Sequence, residues 1–182
     1  MKTRHVLDAL ATASLTTFLS VCARSGAATA AEIPAALKAP ADQKLSLEAH
    51  GKGVQIYECK VSKADPKVFE WVFKAPEADL YDRSGARIGR HFAGPTWEST
   101  DGSKVVGSVK AKDDGPDPGA IPWLLLGAAS SSGTGVFGRT LSIQRLETKG
   151  GKAPAAGCYE AHAGREARVP YTAAYDFYVA RP

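Results

Sequence analysis

The chain has 182 residues, of which 23% are charged and 44% are hydrophobic, and its formal net charge is +4 at pH 7. The sequence contains no block of lysine and arginine residues of the kind that marks a nucleic-acid-binding surface. Once an N-terminal signal is removed, the length suits one domain with one hydrophobic core. We therefore expect a single folded domain and no nucleic-acid partner.

The N-terminal segment, residues 1–31, predicts a signal peptide for export. It has a basic start, and its apolar run over residues 9–23 is too short and too polar to span a bilayer. Ala28 and Ala30 then give an A-x-A cleavage pattern. We expect a secreted or periplasmic domain over residues 32–182, with no transmembrane segment in the mature chain.

The three cysteines divide between the signal and the domain. Cys22 follows a Leu-Ser-Val sequence that outlines a bacterial lipoprotein signal, but Val21 stands where such signals have a small residue. We therefore expect Cys22 to be removed rather than lipidated. Cys59 and Cys158 remain, and an even number of cysteines in an oxidising compartment predicts a disulfide between them. Two separate buried thiols are the alternative.

The first half of the domain begins with an extended leader. Residues 33–42 are rich in Ala and Pro, so we expect no core to start there. Apolar alternation with period two begins at Leu45, and Gly-Lys-Gly at residues 51–53 predicts a turn before a second strand over residues 54–60. Residues 68–74 are apolar on both sides of a strand, which predicts a strand buried on both faces.

The second half continues as short strands separated by turns. Gly94 followed by Pro95 predicts a bend, and Asp101 followed by Gly102 predicts a tight turn. Residues 121–127 are the most apolar run of the domain and predict a core strand, with an exposed apolar patch as the alternative. The clearest strand is predicted over residues 169–179, where aromatic and apolar side chains occupy every second position.

Together these features predict the fold class. Turn signals recur at short and fairly even spacing, and no amphipathic run is long enough for a helix of several turns. We therefore expect an all-β, single-domain antiparallel sandwich or barrel with long loops rich in Gly and Pro.

Several motifs carry a resemblance to a known family. They are, in chain order, HFAGPTWESTDGSKVVG, IPWLLL, IQRLETKGGKAP, GCYEAH and VPYTAAYDFY. The chain resembles, over nearly the whole mature sequence, a family of exported bacterial and fungal domains of unknown function. The resemblance implies a secreted, β-rich domain, and it implies no catalytic residue.

Candidate site residues are concentrated in residues 89–107. His91 precedes Trp97 by six residues, Glu98 by seven and Asp101 by ten, and the bend at Gly94 could bring these side chains together. A histidine beside a carboxylate can act as a general base, and Trp97 is a candidate ligand-binding residue. The alternative is that His91 and Trp97 are core residues and that Asp101 belongs to a hairpin turn.

No cofactor is expected from the remaining motifs. Residues 133–138 read GTGVFG and match G-x-G-x-x-G, but a serine-rich loop precedes them and a strand follows, whereas the dinucleotide motif requires a strand before and a helix after. His91 is the single histidine of residues 89–107, and without H-x-H or H-E-x-x-H spacing it predicts no metal site.

Three functions therefore remain open from the sequence. The first is binding of a small molecule or a surface partner, with residues 89–107 shaping the site. The second is a hydrolase-like enzyme that uses His91 with Glu98 or Asp101. The third is a structural envelope protein.

Overall fold

The structure is a computed structural model and describes residues 31–182. Eight antiparallel strands form a closed barrel in which each strand pairs with the next and β8 returns to pair with β1. The strands are β1 (Gln43–Val61), β2 (Phe69–Tyr81), β3 (Arg87–Phe92), β4 (Thr96–Ser99), β5 (Lys104–Asp113), β6 (Trp123–Ser132), β7 (Ser142–Gly150) and β8 (Glu166–Ala180). Two single-turn 3₁₀ helices occupy Ala35–Leu37 and Glu160–His162.

The predicted all-β fold is confirmed, and of the two predicted architectures the chain forms the barrel. No helix among residues 31–182 is long and apolar enough to cross a membrane. The predicted signal peptide, apart from its last residue, and Cys22 lie outside the described residues.

The alternation along β8 decides which side chains fill the barrel. Tyr171, Ala173, Tyr175 and Phe177 are all buried, at 4% exposure or less. Because successive side chains of a strand point to opposite faces, these four line the interior and the residues between them lie outside. The period-two pattern predicted over residues 169–179 is thus the inner wall of the barrel.

The predicted turn at residues 51–53 is wrong, because these residues lie in the middle of β1, which pairs with β2 on one side and β8 on the other. The two glycines instead allow neighbouring groups to approach the backbone of β1 closely. A Cβ at Gly51 would lie 2.5 Å from Cε2 of Tyr175, and a Cβ at Gly53 would overlap the Glu77 carbonyl oxygen of β2. Any larger side chain at either position would push the neighbouring strand or ring away.

The hairpin of β3 and β4 is shorter than its neighbours. It pairs with residues 78–81 of β2 and with residues 104–106 of β5, so the other parts of those two strands have a strand partner on one side only among residues 31–182. Phe73, in the uncovered part of β2, is 51% exposed, and Val68 beside that strand is 48% exposed. The prediction that residues 68–74 are buried on both faces is therefore wrong.

A second apolar cluster lies outside the barrel wall. Leu37, from the segment before β1, is fully buried against Trp123 and Leu146, and its carbonyl accepts a hydrogen bond from the Gln144 side chain. The expectation that no core begins in residues 33–42 is therefore wrong. The apolar run of β6 is covered by this segment on its outer face.

The predicted disulfide between Cys59 and Cys158 is confirmed, with a Cα–Cα distance of 5.4 Å. It joins the distal half of β1 to the loop before β8. In the chain-entropy model, a cross-link that closes a loop of this length stabilises the fold by up to ~4.7 kcal/mol.

Candidate binding site

His91 and Trp97 face each other across the β3–β4 hairpin and point into the barrel. They are register partners, their rings stack at 4.3 Å with 12° between the planes, and they are 2% and 1% exposed. His91 Nδ1–H donates to the Thr96 carbonyl at 2.8 Å. Burial lowers the pKa of His91 to about 3. The imidazole is therefore neutral at physiological pH and serves as a packed core side chain.

Glu98 lies on the opposite, outer face of the same hairpin. Arg90, its register partner, donates to Glu98 Oε2 from Nε at 2.7 Å and from Nη2, and Lys104 Nζ lies 3.3 Å from Oε1. The hydrogen bonds from Arg90 lower the pKa of Glu98. Since His91 points inward, the structure does not bring these two residues together as an acid–base pair.

Asp101 is held in the turn between β4 and β5. Its Oδ1 accepts hydrogen bonds from Ser103 Oγ at 2.6 Å and from Ser103 N at 2.8 Å, and its Oδ2 accepts one from Val136 N at 2.9 Å. These bonds, that from the Ser103 hydroxyl above all, lower its pKa to about 2. Asp101 ties the loop after β6 to this turn, and none of these bonds leads to His91.

Of the four predicted site residues, the structure therefore brings together only His91 and Trp97. The hydrolase hypothesis needs His91 beside Glu98 or Asp101 in an open cleft, and these contacts do not provide that arrangement. Trp97 is too deeply buried to offer a surface to a ligand. Within residues 31–182, no group of three or more His, Cys, Asp or Glu side chains is arranged to hold a metal ion.

A polar cluster lies inside the barrel beside these aromatic residues. We call Gln55, Tyr57, Arg145, Tyr171 and Tyr175 the interior polar cluster. The hydroxyls of Tyr171 and Tyr175 are 3.1 Å apart, and Tyr57 Oη donates to the Gly151 carbonyl at 2.6 Å. Burial raises the pKa of all three phenols, and nearby Arg145 opposes that rise. The phenols stay protonated at physiological pH.

The outer face of β1 carries three adjoining depressions, and Lys52 lines all of them. The first, of about 450 Å³, extends towards β3 and is lined also by Arg90, Phe92 and Arg168. The second, of about 510 Å³, extends towards the turn after β2. The third, of about 620 Å³, lies between β1, β7 and β8. We call the three together the β1 groove.

The charges in the first depression are paired, except at Lys52. Arg168 of β8 bonds to Glu77 of β2 at 2.7 Å, across β1, and Arg87 of β3 bonds to Asp79 of the neighbouring β2 at 2.6 Å. Lys52 makes no ion pair with any residue in the described part of the chain. Its ammonium is therefore the cation that an incoming anion would meet unneutralised.

Comparison with protein families gives one match that decides the family. The model of DUF3455, described as a protein of unknown function, matches residues 40–179, which include nearly all of the barrel. The chain belongs to the DUF3455 family. This confirms the resemblance to a family of unknown function. Neither curated proteins nor solved structures give a significant match to the chain.

Sequence reasoning missed both Lys52 and Arg145 in this DUF3455 domain. The sequence predicts a turn at Lys52, because two flanking glycines usually mark one. Arg145 has a usable signal, since it stands two residues after the buried Ile143 and so occupies the inward face of β7. Arg145 could have been identified as a basic residue at a strand position where the alternation otherwise places inward-facing apolar side chains.

Proposed function

We propose that this DUF3455 domain binds a small ligand that carries an anionic group, and that it does so in the β1 groove around Lys52. The observation that carries the proposal is the position of Lys52. Its side chain lines three adjoining depressions, and it has no ion-pair partner among the described residues. An ammonium in that position attracts an anion without first breaking a salt bridge.

The size and lining of the groove support a small molecule. Volumes of about 450 to 620 Å³ lie within the ~300–1,000 Å³ range of ligand pockets. The depression towards β8 has an apolar lining that includes Val54, Tyr81 and Pro170, while Lys149 stands at its side and no acidic residue lines it. That combination suits a ligand with an apolar body and one carboxylate or phosphate group.

The stretch predicted to shape the site contributes through its outward residues. Arg90 and Phe92 of β3 line the first depression, and the Arg90 guanidinium carbon lies 4.9 Å from the centre of the Phe92 ring. The ring holds the arginine side chain beside the groove through a cation–π contact. In this proposal the inward partners, His91 and Trp97, only hold the hairpin in place.

The test is a thermal-shift screen in which each anionic compound is paired with its neutral amide or alcohol. We expect anionic members to raise the melting temperature, because a ligand of the native state stabilises it. Replacing Lys52 by Gln removes a charge-assisted contact worth ~1.5–3 kcal/mol and so weakens binding by roughly 10- to 100-fold. Isothermal titration calorimetry measures that change.

Lys44→Gln is the matched control, because Lys44 lies exposed at the start of the same strand and outside the groove lining. We expect that variant to bind as the wild type does. Equal weakening by both substitutions, or no preference for the charged member of any pair, would contradict the proposal.

We also propose that the domain works outside the cytoplasm. The Cys59–Cys158 disulfide supports this, since such bonds persist in oxidising compartments and are rare in the cytosol. Fractionation of cells that express the full chain should recover the disulfide-bonded form from the periplasm or the medium. Recovery of the reduced protein from the cytosol alone would contradict it.

A further inference from the structure

We propose that the interior polar cluster holds a small monovalent anion, of halide size, against Arg145. This site lies inside the barrel, on the other side of the wall from the β1 groove, and it does not depend on Lys52. The proposal rests on two properties of the cluster, an uncompensated positive charge and an excess of hydrogen-bond donors.

The first property is the charge of Arg145. Its Nε and Nη2 donate to the Pro122 carbonyl at 3.1 and 2.7 Å. A guanidinium has five N–H donors, and besides these two bonds Arg145 also faces the Tyr175 hydroxyl, so donors remain for a further acceptor. Arg145 forms no ion pair with a carboxylate among residues 31–182, and its close ionisable neighbours are the neutral phenols of the cluster. A largely buried charge normally has a partner of opposite sign.

The second property is the count of donors. Only one hydroxyl hydrogen fits between Tyr171 and Tyr175, so the hydrogen of the other hydroxyl needs a further acceptor. Gln55, which is 2% exposed, has its side chain near the Tyr171 hydroxyl, but its Nε2 forms no hydrogen bond of normal geometry in the described part of the chain. Buried donors of this kind normally meet an acceptor, whether protein, water or ion.

Rearranging the side chains does not neutralise the charge of Arg145. Turning the Gln55 amide exchanges donors for an acceptor in the cluster, but it adds no negative charge. The neutral His91 adds a lone pair at Nε2 and no negative charge. Water would accept hydrogen bonds and leave the charge of Arg145 uncompensated, whereas an anion accepts hydrogen bonds and also neutralises that charge.

The packing around the cluster limits where an anion can lie. A Cβ at Gly151 would lie 2.9 Å from Tyr171 Cβ, 3.0 Å from Gln55 Cγ and 3.1 Å from Ile121 Cγ2. The cluster is therefore closed on the side of Gly151, so an anion would lie on the side of the Arg145 guanidinium. This wall excludes a sugar or a nucleotide from the Gly151 side.

A second cation lies in the same row of the sheet as Arg145, which is itself partly exposed as a residue. Lys112 of β5 occupies the same row across the sheet, since it pairs with Leu124 and Leu124 pairs with Arg145. Two cations thus stand along one row of the inner face.

The test measures stability against chloride concentration at constant ionic strength. Sodium gluconate replaces sodium chloride, because gluconate is too large for the site. If native protein binds one chloride that unfolded protein releases, the folding equilibrium constant rises up to about tenfold for each tenfold increase in chloride above the dissociation constant. We expect this dependence in the wild type and its loss in Arg145→Gln. Arg139→Gln, which changes an exposed arginine, should retain it.

A second measurement does not depend on whether the Arg145 variant folds. Crystals of the wild-type protein grown or soaked in bromide should give an anomalous peak within hydrogen-bond distance of the Arg145 guanidinium. Equal stability of the wild type in chloride and gluconate would overturn the proposal, and so would an ordered water in place of bromide at that position.

Discussion

The two faces of the β3–β4 hairpin each carry a pair of cross-strand partners, but the inner pair is buried and the outer pair is exposed to solvent. On the inner face His91 stacks on Trp97, and both rings are almost completely buried. On the outer face, one residue along each strand, Arg90 pairs with Glu98 in solvent. The inner histidine has a pKa shifted far down by burial, whereas the outer carboxylate has its pKa lowered by hydrogen bonds from a cation.

This difference shows that two residues close in sequence on paired strands need not lie on the same face and act in the same site. His91 and Glu98 are seven residues apart and cross a tight bend, yet the pleat directs them to opposite sides of the wall. The inner pair should contribute to stability through packing, and the outer pair through an ion pair screened by solvent. Three substitutions test this contrast.

The largest effect is expected from Trp97→Ala on the inner face. Removing this fully buried ring leaves a cavity, and the free energy of unfolding should fall by about 3–5 kcal/mol. Urea unfolding measures the change. Trp71→Ala is the control, because Trp71 is only partly buried and donates its indole N–H to Ala156 in a surface loop. Equal losses in both variants would contradict the assignment of Trp97 to the core.

An intermediate and pH-dependent effect is expected from His91→Leu. At pH 7 the variant should be less stable, because it loses the hydrogen bond to Thr96 and the stacking on Trp97. The unfolded chain takes up a proton below pH ~6.5, whereas folded His91 does so only near pH 3, so acid destabilises the wild type through this group.

The difference in stability between wild type and His91→Leu should therefore shrink as the pH falls from 6.5 towards 4. The slope of this difference against pH should approach about 1.4 kcal/mol per pH unit, which is the value when unfolding takes up one proton. Unfolding curves at several pH values measure this slope. A gap that stays constant over this range would mean that His91 titrates normally in the folded state.

The smallest effect is expected from Glu98→Gln on the outer face. The ion pair with Arg90 is open to solvent, and exposed pairs of this kind contribute little. The melting temperature should move far less than in Trp97→Ala, and any change should diminish at high salt. A large, salt-independent loss would show that the outer face is not simply a solvated surface.

The strands could be predicted from the alternation of apolar and polar residues, most clearly in β8, where every second side chain points into the barrel. The disulfide could be predicted because two cysteines remain in the domain expected to be exported. The middle of β1 could not be predicted, because glycines such as Gly51 and Gly53 occur both in turns and where two strands approach closely. Only the packing of Tyr175 and Glu77 against them distinguishes the two cases.

The candidate site was less predictable than the fold. The sequence identified residues 89–107 as important, but it could not assign the faces of His91 and Glu98 without the register of the hairpin. Lys52 acquires its position from three strands that are distant in sequence, and Arg145 acquires its neighbours from β1 and β8. Such groupings depend on long-range pairing, which local patterns do not specify.

The pairing of the first strand with the last also determines how the domain must fold. β1 bonds to β8 along almost its whole length, from Gln43 beside Ala180 to Glu58 beside Glu166. One edge of β1 therefore stays without its partner until the end of the chain has been made. Closure of the barrel is a late, non-local event, and all-β domains with such contacts fold slowly, in about milliseconds to seconds. During that time the open edge of β1, like that of β7, can pair with another chain.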